Sequence, residues 1–177
     1  MAHKANVVII GLGNPILGDD GVGWRVADMI KDLLSRQTTL RQQVDIETLS
    51  LGGLSLMEKL IGYDRAILID AINLGQKPLG GIYSFDLKDL PDLSTGHTTA
   101  AHDTSLQTAL EIGRALGLEL PEDITIIGIE AKVDYAFSEE ISPDVARSIP
   151  QAVFLALDRT EMEFTTINNG TLSEEHP

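Results

Sequence analysis

The chain has 177 residues, the length of one ordinary domain, and its 43% hydrophobic content is enough to build a core. Its 27 acidic and 13 basic residues give a formal net charge of -14, which argues against nonspecific nucleic-acid binding, since that depends on Lys and Arg neutralising phosphates. Cysteine is absent, so a thiol nucleophile, a disulfide framework, an iron–sulfur cluster and a Cys-ligated zinc site are all excluded.

The first residues, Met1 to Asn6, carry no charged segment followed by a long apolar stretch, so no signal peptide is expected. The apolar runs are too short to cross a bilayer, which takes about 20 residues. The expectation is a cytoplasmic protein with neither a membrane nor a nucleic-acid partner. Val7-Val8-Ile9-Ile10-Gly11 predicts a buried strand that stops at the turn-rich Gly11-Leu12-Gly13-Asn14-Pro15. Asp19-Asp20 then precede a helical pattern of Val22, Val26, Met29, Ile30 and Leu33. Val44 to Leu49 alternates as a strand with one exposed face, Gly52-Gly53 break it, and Leu54 to Leu60 predicts a short helix.

Ala66-Ile67-Leu68-Ile69 predicts a second buried strand, ending at Asp70, and Ile82 to Phe85 another after Gly80-Gly81. A polar loop over residues 94–99 leads to a helix from about Asp103 to Leu116, then a strand at Ile124 to Ile129. Ser142-Pro143-Asp144 opens a last helix whose first turns are set apart from the stretch through Leu157 by Pro150. Alternating strands and helices predict an α/β three-layer sandwich. Its central sheet has about five strands, mostly parallel with room for one antiparallel neighbour, and helices on both faces. Residues 1–161 form the single domain and 162–177 a flexible acidic tail. Much of the negative charge lies in that tail and in residues 119–144, where eight acids face one lysine. That stretch reads as a solvated face, or as a docking surface for a basic partner.

In such folds sites lie beyond the carboxyl ends of the strands. Asp20 follows the first strand, Asp70 ends the third, and His102 starts a helix. Two carboxylates and an imidazole suit a divalent metal such as zinc, nickel or manganese and leave positions open for substrate or water. Asp20 can equally cap a helix. Asp70 follows four apolar residues, where a carboxylate is costly unless paired or coordinated. His97 is as good a ligand as His102 on composition. Gly11-Leu12-Gly13 lacks the third glycine of a dinucleotide fingerprint, and no phosphate-binding loop or nucleophile elbow occurs.

The segment from Gly11 to Gly23 resembles the signature G-x-G-N-x-x-x-x-D-D/E-x-x-G of the nickel–iron hydrogenase maturation endopeptidases. Ile67-Leu68-Ile69-Asp70-Ala71 resembles that family's second block, and Ala101-His102-Asp103-Thr104-Ser105-Leu106 its third. Gly128-Ile129-Glu130 and Ile141-Ser142-Pro143 also fit, and the likeness spans roughly residues 6–158. The resemblance implies that Asp20, Asp70 and His102 bind the metal, and so favours His102 over His97. It implies a metal-dependent endopeptidase that removes the C-terminal extension of a hydrogenase large-subunit precursor after nickel insertion. The nickel then arrives with the substrate, although another divalent metal could occupy the isolated protein. Asp19 is the neighbour to test as general base. Relatives often carry an acid before the paired glycines, where this chain has Ser50-Leu51.

Two other readings compete. A noncatalytic metallochaperone or scaffold would bind the large subunit without cutting it. A peptidyl-tRNA hydrolase-like enzyme also opens with a strand and Gly-Leu-Gly-Asn-Pro, but Asp19-Asp20 stand where that family soon carries its catalytic histidine.

Overall fold

The computed structural model describes residues 6–35, 44–89, 98–132 and 137–160, with backbone alone for 98–105. His97 and the acidic tail 162–177 lie outside the described residues. The elements in chain order are β1 (Val7–Leu12), a 3-10 turn (Gly18–Gly21), α1 (Val22–Ser35), β2 (Val44–Leu49), α2 (Gly53–Leu60) and β3 (Arg65–Ile72). Then come β4 (Ile82–Asp86), a 3-10 turn (Leu87–Asp89), α3 (Thr98–Ala115), β5 (Asp123–Glu130), α4 (Pro143–Ala146) and α5 (Ile149–Asp158).

The five strands form one sheet in the order β2-β1-β3-β5-β4. All neighbours are parallel except β4, which runs antiparallel to β5 at the edge. The short connection from β3 to β4 explains the exception, since it carries no crossover helix. The apolar runs Val7 to Ile10, Ala66 to Ile69 and Ile124 to Ile127 are the central strands, buried on both faces as parallel sheets require.

Alternation along each strand divides the core in two. Val7, Ile9, Ile67, Ile69, Ile127 and Ile129 face α1 and α5, against Val26, Ile30 and Val153. Val8, Ile10, Ala66, Leu68, Ile124 and Ile126 face α2 and α3, against Leu56, Leu60, Leu106 and Leu110. Each of these Val, Leu and Ile side chains contributes about 1.5–3 kcal/mol by leaving water. The result is the expected three-layer sandwich.

Two boundaries differ from the sequence expectation and a third agrees with it. α3 begins at Thr98, inside the stretch read as loop, because Thr98 to Ala101 has no apolar periodicity to announce a helix. β3 does not end at Asp70 but continues to Ile72, because its ladder with β5 runs on through Asp70↔Gly128 and Ile72↔Glu130. The last helical stretch is divided near Pro150 as expected, into α4 and α5, with Pro150 in the first turn of α5, where its missing N–H costs nothing.

Candidate active site at the carboxyl end of the sheet

From β1 the chain passes first to β2 on one side and then to β3 on the other, so the order reverses between β1 and β3. Open α/β sheets bind their ligands in the crevice outside that point. The β1–β3 ladder ends at Gly11↔Ile69, and Asp70 is the next residue of β3. It shares the alternation of Ala66 and Leu68 and therefore belongs to the α2/α3 face. Its carboxylate is half-buried, and Oδ1 accepts the Ala71 N–H at 2.9 Å.

Asp20 lies in the 3-10 turn that leads into α1. It does not work as the helix cap that its position allowed. Its Oδ2 instead accepts the Asn14 N–H at 2.7 Å, back across the loop that leaves β1. The loop can fold so tightly because of Gly13, whose φ is 116°. A Cβ there would stand 1.8 Å from the Asp20 carbonyl oxygen. Gly23 makes a second close approach, since its Cβ would lie 2.3 Å from the carbonyl oxygens of both Ile69 and Leu12. The first turn of α1 is thus pressed onto the ends of β1 and β3, bringing its positive pole to the crevice.

Asp19 is occupied differently. Its Oδ1 accepts the Ser142 N–H at 2.6 Å and its Oδ2 accepts the Ser142 hydroxyl at 2.8 Å. On the other side of the crevice, the Ser50 hydroxyl donates to the Gly13 carbonyl at 2.7 Å. Ser50, in the pair that precedes Gly52-Gly53, therefore ties the loop after β2 to the loop after β1. Trp24 is half-buried, and its indole N–H donates to the Leu49 carbonyl at 3.2 Å.

His102 stands near the start of α3. The C-terminal end of α3 leads into the start of β5, at the opposite pole of the sheet. Eighteen helical residues rise about 27 Å, close to the length of an eight-residue strand, so α3 carries its early residues back toward the pole of Asp70. The His102 side chain lies outside the described residues. Among the described residues no three His, Asp or Glu side chains gather into a metal-holding group. The Asp20 and Asp70 carboxylates each accept a main-chain N–H.

Glu130 ends β5 and is only 3% exposed, an exception to the solvated reading of residues 119–144. Its Oε2 accepts the Tyr83 hydroxyl at 2.6 Å and its Oε1 the Gly75 N–H at 3.1 Å, which anchors the loop after β3. Burial, then the hydrogen bond to Glu130 and the carboxylate's charge, push the Tyr83 hydroxyl up to about 12. The Lys77 ammonium sits 4.3 Å from the centre of the Tyr83 ring. The sequence singled Glu130 out only as part of a matching block. The usable signal was the same as at Asp70, a carboxylate ending an apolar strand.

The family model described as hydrogenase maturation protease, HycI, matches residues 28–159. A putative hydrogenase maturation protease of Methanocaldococcus jannaschii is 26% identical over 158 residues, covering 88% of this chain and 92% of its own length. The hydrogenase maturating endopeptidase HybD of E. coli superposes with a TM-score of 0.66 at 21% identity, covering 88% of this chain and 92% of that one. The hydrogenase 2 maturation peptidase of a Thaumarchaeota archaeon gives 0.63 at 26% identity, covering 90% of this chain and all of that one. Its sequence match across α1 to α5, on a fold shared with these peptidases, makes this chain a member of the hydrogenase maturation protease family.

Proposed function

We propose that this protein is the endopeptidase that removes the C-terminal extension of a nickel–iron hydrogenase large-subunit precursor, and that Asp20, Asp70 and His102 read the nickel that the precursor carries. The observation behind this reading is the pair of half-buried carboxylates at the switch point, each with one oxygen tethered to a main-chain N–H. Tethering fixes the direction of each carboxylate before substrate arrives, so less ordering is needed on binding. With no cysteine in the chain, the thiolates around such a nickel belong to the substrate. This chain offers oxygen and imidazole ligands, which suit recognition of a metal already held elsewhere. When present, the nickel supplies Lewis acidity toward the scissile carbonyl or a water. Asp20 and Asp70 orient the cargo, while α1's positive pole and the apolar walls of β1 and β3 shape the crevice around it.

Among the described residues no helix is long and apolar enough to cross a membrane. The test is intact-mass measurement of nickel-loaded and nickel-free precursor after incubation with the protein. Loss of one C-terminal peptide from the nickel-loaded form alone is the expected result. Binding with no change in mass would sink the assignment and leave the noncatalytic scaffold.

A further inference from the structure

The signature carries two adjacent acids, of which only the second is assigned to the nickel. We propose that Asp19 and Ser142 form a clamp that positions Asp20, making Asp19 a positioning residue rather than the general base; this rests on the assignment of Asp20 to metal recognition. A general base needs a lone pair aimed at the proton it takes. Both Asp19 oxygens are instead engaged by one residue, Ser142, through its N–H and its hydroxyl. Ser142 is the residue before α4, yet its hydroxyl makes no capping bond to that helix. It is turned toward Asp19.

The contact belongs to a longer seam. The Gly18 N–H donates to the Ser138 carbonyl at 2.6 Å, and the Ser138 N–H donates to the Ile16 carbonyl at 3.0 Å. The Arg25 guanidinium donates to the Glu139 carbonyl at 3.0 Å. Residues 138–142 therefore hold the loop from Ile16 to Asp19 along its outer side. On the inner side, Asn14 holds Asp20 Oδ2. Asp20 is thus fixed from both directions, by its own loop and by a segment that joins the sequence 123 residues later. The fully buried Val145 anchors α4 behind the seam, so the clamp can be weakened without opening the core.

The clamp and the base make opposite predictions for the isosteric change. In Asp19→Asn the amide oxygen still accepts the Ser142 N–H, and the amide nitrogen can donate to the Ser142 oxygen. A clamp survives that change and a base does not. Four variants decide it: Asp19→Asn, Asp19→Ala, Ser142→Ala and the double Asp19→Ala/Ser142→Ala. The readouts are kcat and KM for cleavage of nickel-loaded precursor, and the NMR shift of the Asn14 amide proton, which reports the Asp20 carboxylate without substrate. Asp19→Asn should stay within severalfold of the parent in kcat/KM, with the amide unmoved. Asp19→Ala should lose about 10–100-fold, the usual cost of removing a partner that orients a metal ligand, and should shift the Asn14 amide. Ser142→Ala should lose less, and the double variant no more than Asp19→Ala alone, because the two side chains act as one unit.

Inactive Asp19→Asn with an unmoved Asn14 amide would overturn the proposal in favour of Asp19 as base. An unmoved amide and unchanged kinetics in Asp19→Ala would overturn it as well. If the parent protein cleaves nothing, the proposed function falls, while the Asn14 amide still decides whether the clamp sets Asp20.

Discussion

At the carboxyl pole of the sheet, Asp19, Asp20, Asp70 and Glu130 are half-buried or buried, and each accepts at least one hydrogen bond of 2.6–3.1 Å. At the opposite pole, Asp86, Glu111, Glu122 and Asp123 line a cavity of about 340 Å³ together with Lys88 and Arg114. There the acids meet cations at the surface, Asp86 with Lys88 at 3.3 Å and Asp123 with Arg65 at 3.9 Å. Such exposed pairs are screened and contribute about 0–1 kcal/mol. Both ends of the molecule are acidic, yet among the described residues the four acids at the carboxyl pole each accept a main-chain N–H, whereas Asp86 and Asp123 meet cationic side chains. The number of charges does not distinguish the two poles here, and neither does a fixed carboxylate, since Asp45 at the far pole accepts the Tyr63 hydroxyl at 2.8 Å; the main-chain N–H partners of Asp19, Asp20, Asp70 and Glu130 do.

The sharpest way to break this contrast is Asp70→Ala. It should leave a folded protein, since the residue sits past the β1 ladder, while processing of nickel-loaded precursor drops below detection by intact mass. Gly13→Ala attacks the geometry instead of the ligand. A Cβ at φ 116° and 1.8 Å from the Asp20 carbonyl should cost at least about 3 kcal/mol of stability, read by urea denaturation. Tyr83→Phe removes one hydrogen bond to a buried carboxylate and should cost about 1–3 kcal/mol in the same measurement.

Tyr83→Phe also has a pH signature. The folded chain holds the Tyr83 proton up to about 12, against 10.0 for an ordinary tyrosine. The folded state thus binds this proton more tightly than the unfolded one. Its contribution is fully present below pH 10 and fades as pH rises through 12. The cost of Tyr83→Phe should shrink over that window. At the other pole, Glu111→Gln should change neither processing rate nor Tm measurably, because the side chain is exposed. A strong loss of processing there would erase the distinction between the poles.

The parts legible from the sequence were those governed by local chemistry. β-branched runs such as Val7 to Ile10 marked central strands, and the glycines around Asn14 marked the tight loop after β1. Asp70 was visible because a carboxylate after four buried apolar residues requires a reason. What stayed hidden depends on contacts between distant residues. Nothing near Asp19 indicates that its partner is Ser142, 123 residues on. The burial of Glu130 depends on Tyr83, which β4 delivers only because it turns back antiparallel beside β5. The early start of α3 has no apolar period to reveal it.

The seam between residues 16–19 and 138–142 also sets an order in time. A ribosome releases the Asp19-Asp20 pair early, but the segment that steadies it emerges only after β5, the strand that completes the middle of the sheet. A nascent or truncated chain therefore carries its acids without their final arrangement. Any property that depends on the Asp19–Ser142 contact therefore waits until the domain has been synthesised almost to its last helix.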